Sequence, residues 1–320
     1  MNLPLCLVLA ALAGMQDGNP LELVRTIPMP KVDGRIDHLA HDAKGGRLFV
    51  AALGNNTLEV IDLAQGKVVH RIEGLHEPQG ILFLDGQIVV ASGGDGSCRF
   101  YDGSTFKLAK AVDCKDDADN VRTDAEAKLV YVGYGSGGLA VIDPAKGAKI
   151  GDIPLEGHPE SFQLEAKGKR VFINVPKAGH IAVADREQRT VVAKWKLSAG
   201  ANFPMALDEE GHRLFVGCRQ PSKLLVIDTG SGKELAAVDC SGDTDDVFYD
   251  APSKRVIVSC GAGFLDVFDA SGAAPRRLGN ASTAAGARTC LYVPDPGLVF
   301  LAVPHRGRPQ AEIRVFRPKP

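Results

Sequence analysis

Two stretches of the chain write one chemical phrase. Residues 111–121 read AVDCKDDADNV, and more than a hundred residues later 237–247 read AVDCSGDTDDV. Each sets closely spaced aspartates behind a cysteine: Asp117, Asp119 and the amide Asn120 in the first copy, Asp243, Asp245 and Asp246 in the second. Carboxylates at this spacing can ligate a hard divalent cation, attract a cationic ligand, or share protons in acid–base work. They can also do something plainer, because Asp and Asn side chains brace turns by accepting backbone N–H groups two or three residues on. Residue type does not separate these readings, so position in the fold must.

The positioning elements are repeats. Val60-Ile61-Asp62 returns as Phe100-Tyr101-Asp102, Val141-Ile142-Asp143, Val183-Ala184-Asp185, Val226-Ile227-Asp228 and Val267-Phe268-Asp269, with a degenerate copy at Val315-Phe316-Arg317. Before each stands a run such as RLFVAAL, LVYVGYG or RVIVSCG, and after most of them a turn and a shorter run such as KVVHRI or KELAAV. Runs rich in Val, Ile, Phe and Tyr, bounded by Gly, Asp and Pro, read as strands joined by tight turns. A period of about 42 residues with four strands per unit is the signature of propeller blades. The expected fold is therefore all-β: a seven-bladed β-propeller of four-stranded antiparallel blades. The seventh unit is one strand short at the C-terminus, and Leu21–Ile27 is expected to close the ring as its missing outer strand, which removes an open edge. One propeller domain over 21–318 follows.

Aligning the first strand of each unit on the acidic or turn residue that ends it (Asp42, Asp124, Glu165, Asp208, Asp250, Asp295) gives the chemistry an address. Five positions earlier stand Asp37, Asp119, Glu160, Phe203, Asp245 and Cys290; seven earlier stand Arg35, Asp117, His158, Ala201, Asp243 and Arg288. Positions two apart share a strand face, and first strands line the channel. Asp37, Asp117, Asp119, Glu160, Asp243 and Asp245 are thus expected at one channel mouth, with His38, Asn120, His158, Asp246, Arg35 and Arg288 beside them and Glu77 joining from the second blade. The expectation is an acidic mouth that binds a small ligand, a cation or a protein partner, with Asp119, His158, Glu160 and Asp245 as candidate metal ligands and a divalent cation as the conceivable cofactor.

Other signals are weaker. His70 and His180 are read as structural positions on strand or turn surfaces, whereas His305, in the basic loop PHRGRP at 304–309, is placed near the channel-facing loops. Gly133–Gly138 matches GxGxxG, yet LAVID follows it, so the segment is a hairpin turn without a helix N-terminus for a phosphate. No Walker loop, GxSxG or HExxH occurs. The formal net charge of −2, with apolar residues at 45%, gives no case for nucleic acid, and the chain is expected to be a monomer without a transmembrane segment. At the N-terminus, an apolar run ending in Ala11-Leu12-Ala13 has the form of a cleaved signal peptide over 1–13, which implies a periplasmic or secreted protein. Six cysteines would then remain. Their number permits disulfides without establishing any, and the strand settings of Cys218 and Cys260 favour buried thiols.

GRLFVAALGNNTLEVIDLAQGKVV from Gly46 and HRLFVGCRQPSKLLVIDTGSGKEL from His212 resemble the repeats of the YVTN-type β-propellers, the YncE-like group of exported seven-bladed proteins. The resemblance runs from Leu21 onward and implies fold more strongly than function. It implies a non-catalytic binding or scaffold protein first. Because some similar propellers are metal-assisted lyases or lactone hydrolases, it implies an enzyme second, with His38, His158, Glu160 and Asp245 as ligands and general base. A redox partner domain is a third reading, disfavoured by the lack of CxxCH.

Overall fold

The computed structural model describes residues 18–307 and 309–319; the expected signal peptide over 1–13 lies outside them. Seven four-stranded antiparallel sheets follow one another along the chain. The first is representative: Leu39–Asp42, Arg47–Ala52, Thr57–Asp62 and Lys67–Ile72 run from the channel outward.

Burial explains the strand sequences. The second strand of each blade is buried on both faces, as in Arg47–Ala52, Leu129–Tyr134 and Arg255–Cys260, because a neighbouring blade covers each side. Such strands read as unbroken apolar runs. Outer strands alternate instead: along Thr190–Lys196 every second residue is exposed, the period of a sheet with one wet face. The core is therefore distributed between blades. Val89 and Phe100 of the second blade pack with Val130 and Ile142 of the third, and Leu48 and Ile61 of the first pack with Phe300 and Ile313 of the seventh.

The ring closes as the sequence implied. Leu21–Met29 pairs antiparallel with Ala311–Pro318, from Leu21 opposite Pro318 to Met29 opposite Ala311. Leu21, Ile27 and Met29 are fully buried there.

The recurring aspartates at the ends of the third strands are turn braces. Asp62, Asp143, Asp185 and Asp228 each accept a backbone N–H three residues on, from Gln65, Lys146, Gln188 and Ser231, and Asp102 accepts from Ser104 and Thr105. The residues that end the first strands do similar work: Asp42 accepts Gly45 N–H and pairs with Arg47, and Asp208 accepts Gly211 N–H and pairs with Arg213. These carboxylates are fully employed in holding hairpins.

Gly133–Gly138 is the expected hairpin, joining Leu129–Tyr134 to Gly138–Asp143. His70 lies on an exposed outer strand and stacks on Phe106 at 4.3 Å. His180 differs from expectation: it is buried, beside Glu156 at 3.9 Å, because it stands next to Pro154–Glu156 at the end of the neighbouring blade's outer strand. His305 pairs with Asp33 and does not line the channel mouth. The six described cysteines are unpaired thiols, all buried except half-buried Cys240. Cys114 neighbours Cys98, and that contact together with burial pushes the Cys98 thiol well above its ordinary range.

Candidate functional site

The channel has three parts. A lumen of about 550 Å³ is walled by first strands and their apolar and aromatic side chains, among them Phe83, Met205, Phe248 and Tyr292. A mouth of about 480 Å³ opens on the other face, between Glu77, Gln79, Asp117, His158, Lys177 and Arg288. Between them lies a neck of about 20 Å³ formed by Asp37, His38, Asn120, Ser161 and Asp246, with Arg35, Asp119, Glu160, Phe203 and Asp245 belonging to both neck and mouth. Space of that size holds about one water molecule. The mouth is thus a cup with a charged floor.

The backbone leading into each first strand sets which side chains reach the floor and which stay at the rim. The expectation that residues two apart share a strand face fails here. Asp117 and Asp243, like Glu77 and Ala201 at the matching place in other blades, have positive φ, at 39°, 60°, 50° and 53°, so a left-handed residue breaks the alternation just before the strand. Asp119 and Asp245 consequently point to the floor while Asp117 and Asp243 stay higher. A glycine makes room for one of these turns: a Cβ on Gly135 would stand 2.7 Å from Asp117 Cβ. Asp243 reaches Arg219 at 3.5 Å and Arg288 at 3.4 Å with two-fifths of its side chain exposed, and it does not line the cup.

The mouth is less acidic than the sequence suggested, because cations are interleaved with the carboxylates. Arg35 pairs with Asp37 at 2.6 Å. Asp245 is held by Arg288 at 3.0 Å and by Arg219. Arg219 also lies over the Phe203 ring, 3.6 Å from its centroid, a cation–π contact that fixes the guanidinium. Asp245 is therefore committed to arginines.

Asp119, His158 and Glu160 remain, each offering a donor atom within 4.8 Å of the others. His158 Nε2 faces Asp119 Oδ2 at 3.7 Å, and His158 Nδ1 faces Asp117 Oδ2 at 3.5 Å. Asp119 is 7% exposed and Asn120 4%. Asp119 Oδ1, Asn120 Oδ1 and His158 Nδ1 are all buried without a hydrogen-bond partner among the described residues. Buried polar atoms are nearly always satisfied, and leaving one bare costs roughly 1–3 kcal/mol. Three around one neck and mouth mark a place built for something besides this chain.

Protonation is displaced across the floor. Burial, with Asp119 and Asp245 adding to it against the pull of His158 and Arg219, raises Glu160 to about 7. Burial raises Asp245 to about 6, with its two arginines opposing, and raises Asp246 to about 7 although His38 and the Cys290 N–H favour its charged form. Burial disfavours charged His38, yet Asp246, Asp37, Asp119 and Asp245 outweigh it and raise its pKa; His158 is raised in the same way, by Asp119, Glu160 and Asp117. Asp119 goes the other way: burial is outweighed by His158, His38 and Arg35, which hold it ionised. Groups this close titrate as a set.

The profile of the family described as outer membrane protein assembly factor BamB matches residues 29–200, more than half of the chain. The chain belongs to this family. That assignment makes it a β-propeller repeat protein, a coarser statement than the YVTN-type resemblance. No curated protein matches it in sequence. A chain of the solved mitotic checkpoint complex superposes with a TM-score of 0.79 at 12% identity, covering 99% of this chain and 98% of that one; at such identity the likeness is one of fold.

Within this BamB-family propeller the sequence alignment brought Asp37, His38, Asp119, Asn120, Glu160, Asp245 and Asp246 to one floor, with Asp117, His158, Glu77 and Arg288 on the wall above. It missed Arg219, Gln79 and Lys177, and gave Phe203 no role. Arg219 ends a second strand, Arg213–Gln220, that runs two residues longer than Arg47–Ala52. That added length in one unit was its only signal. Gln79 donates to Asp117 at 3.0 Å and occurs at its place in the second blade alone.

Proposed function

We propose that this protein is an exported binding propeller of the YVTN-like kind, whose channel mouth receives a small polar ligand or the side chain of a partner. One observation carries the reading: Asp119 Oδ1 and His158 Nδ1, on residues that line the 480 Å³ cup, and Asn120 Oδ1, in the neck beneath it, are desolvated and unpartnered. Such atoms have already lost their water, so a ligand that meets them gains hydrogen bonds without that cost. The wall interleaves carboxylates with Arg35, Arg288 and Lys177, which favours ligands bearing both signs of charge. Two things support export: the apolar run and small-residue ending of residues 1–13, and a family described by an outer membrane assembly factor.

The test is a thermal-shift and ligand-observed NMR screen of amino acids, short peptides and other zwitterions, run on wild type and on Asn120→Leu. Binders of the wild type that Asn120→Leu loses, while keeping its cooperative unfolding, support the reading. Absence of binders, or binders indifferent to Asn120→Leu, overturns it.

A second reading, a metal-assisted lyase or hydrolase, draws on Glu160. A carboxyl group raised to about 7 beside His158 can both take and give a proton near neutral pH, as a general base must.

A further inference from the structure

Resting on the mouth as a binding site, the geometry points to a divalent transition-metal site at its floor, with Asp119, His158 and Glu160 as three protein ligands to Zn²⁺ or Mn²⁺ and the remaining positions open toward the cup. Acidic clusters are common without a metal, and this one is distinguished by two further features.

The first is orientation. His158 stands between two carboxylates, with Nε2 toward Asp119 and Nδ1 toward Asp117. Asp117 makes no hydrogen bond to the ring as it stands, yet at 3.5 Å it is close enough to accept the N–H of the nitrogen that does not ligate once the ring turns toward an ion, which would fix the tautomer in the way usual for a metal-bound histidine. Asp117 is placed to do this by its left-handed backbone and by the hydrogen bond from Gln79. The second is the unpartnered Asp119 Oδ1, on a side chain nine-tenths buried. No arginine or lysine lies within ion-pair distance of Asp119 among the described residues, whereas Asp37 has one arginine and Asp245 has two. Of these three carboxylates, the one left without an arginine is the one that faces His158.

The donor set selects the ion. One imidazole nitrogen with two carboxylates suits Zn²⁺ or Mn²⁺, whereas Ca²⁺ and Mg²⁺ prefer oxygen alone. Donors up to 4.8 Å apart must each move inward by several tenths of an ångström to reach bonds of roughly 2.0–2.2 Å. Rotation about the side-chain torsions of Asp119 and Glu160 supplies that, since neither carboxylate is held by an arginine. Three ligands from two adjacent blades, with the cup on the open side, leave room for water or a ligand's polar group on the ion.

The test is calorimetric titration of the untagged, chelator-stripped protein with Zn²⁺ and with Mn²⁺, paired with Co²⁺ absorption spectra that report coordination directly. The expected result is one ion per chain. Affinity should fall at least a hundredfold in His158→Ala and at least tenfold in Asp119→Asn and in Glu160→Gln, and should be unchanged in His70→Ala, whose histidine is on the outer surface. Failure of wild type to bind either ion, or binding that survives His158→Ala, overturns the site. A metal-free protein that still takes zwitterions in the screen above loses this inference alone; a protein that takes the ion but no zwitterion loses the small-ligand reading alone.

Discussion

Asp246 Oδ1 lies 3.6 Å from His38 Nδ1 across the seam of the ring, one residue from the sixth blade and the other from the approach to the first. The same carboxylate accepts the Cys290 N–H at 2.8 Å from the seventh. One side chain thus ties three blades at the neck.

That tie makes stability depend on pH. Asp246 is raised to about 7 and Asp245 to about 6 from an ordinary 3.8, so the folded state holds these protons more tightly than the unfolded chain does. Their contribution is complete below about pH 4 and is lost as pH rises through 6 to 7. His38, also raised, adds a contribution present below 6.5 and lost above its folded value. The braced turn aspartates, lowered by their hydrogen bonds, act oppositely and fail only below about pH 4. The thermal midpoint should therefore decline between pH 5 and pH 8. In Asp246→Asn, which keeps an acceptor for Cys290, the decline should be shallower; an unchanged slope in scanning calorimetry would refute the assignment.

Removing Arg219 should expose how Asp245 is kept. Arg219→Ala takes away one of two guanidiniums around a buried carboxylate and the partner of Phe203. A loss of about 2 kcal/mol is expected in denaturant unfolding. Arg219→Lys should recover part of it, since a lysine restores the charge but not the planar stacking.

The closing strand should be as sensitive as any core element. Ile27→Ala removes a fully buried side chain from the joint between the first and seventh blades and should cost about 2–4 kcal/mol. Leu23→Ala, on the same strand but half exposed, should change stability by no more than about 0.5 kcal/mol.

Thiol chemistry should follow unfolding. Burial raises Cys218 and Cys240 to about 12, so the thiolate fraction at pH 8 is minute. A chromogenic disulfide reagent should titrate native protein far more slowly than protein in guanidinium. Among the native thiols, half-buried Cys240 should react first, which peptide mapping would show.

The fold was legible because its grammar is periodic: each Val-Ile-Asp phrase is a strand end with its turn brace, and a strand missing from one terminus was waiting at the other. The floor was legible for the same reason, since Asp119, Glu160 and Asp245 occupy one repeat position. What recurrence cannot reveal is a feature that one blade adds alone. Arg219 on its lengthened hairpin and Gln79 behind Asp117 are such features: the first adds a positive charge beside Asp245, and the second a neutral hydrogen bond to Asp117. Nor does strand periodicity foresee a left-handed residue at Asp117 or Asp243, which alters the height of a side chain without altering the pattern of the sequence.

The seam between Leu21–Met29 and Ala311–Pro318 also orders events in time. Its pairing joins residues from the two ends of the sequence, so it closes a loop of nearly the whole chain, the costliest kind to form early. A ribosome can deliver six complete blades while the seventh still lacks its inner three strands, and Leu21, Ile27 and Met29 must wait without their final partners. Assembly of this molecule therefore ends where its sequence begins, and that wait is the interval in which its edges are open to the wrong neighbour.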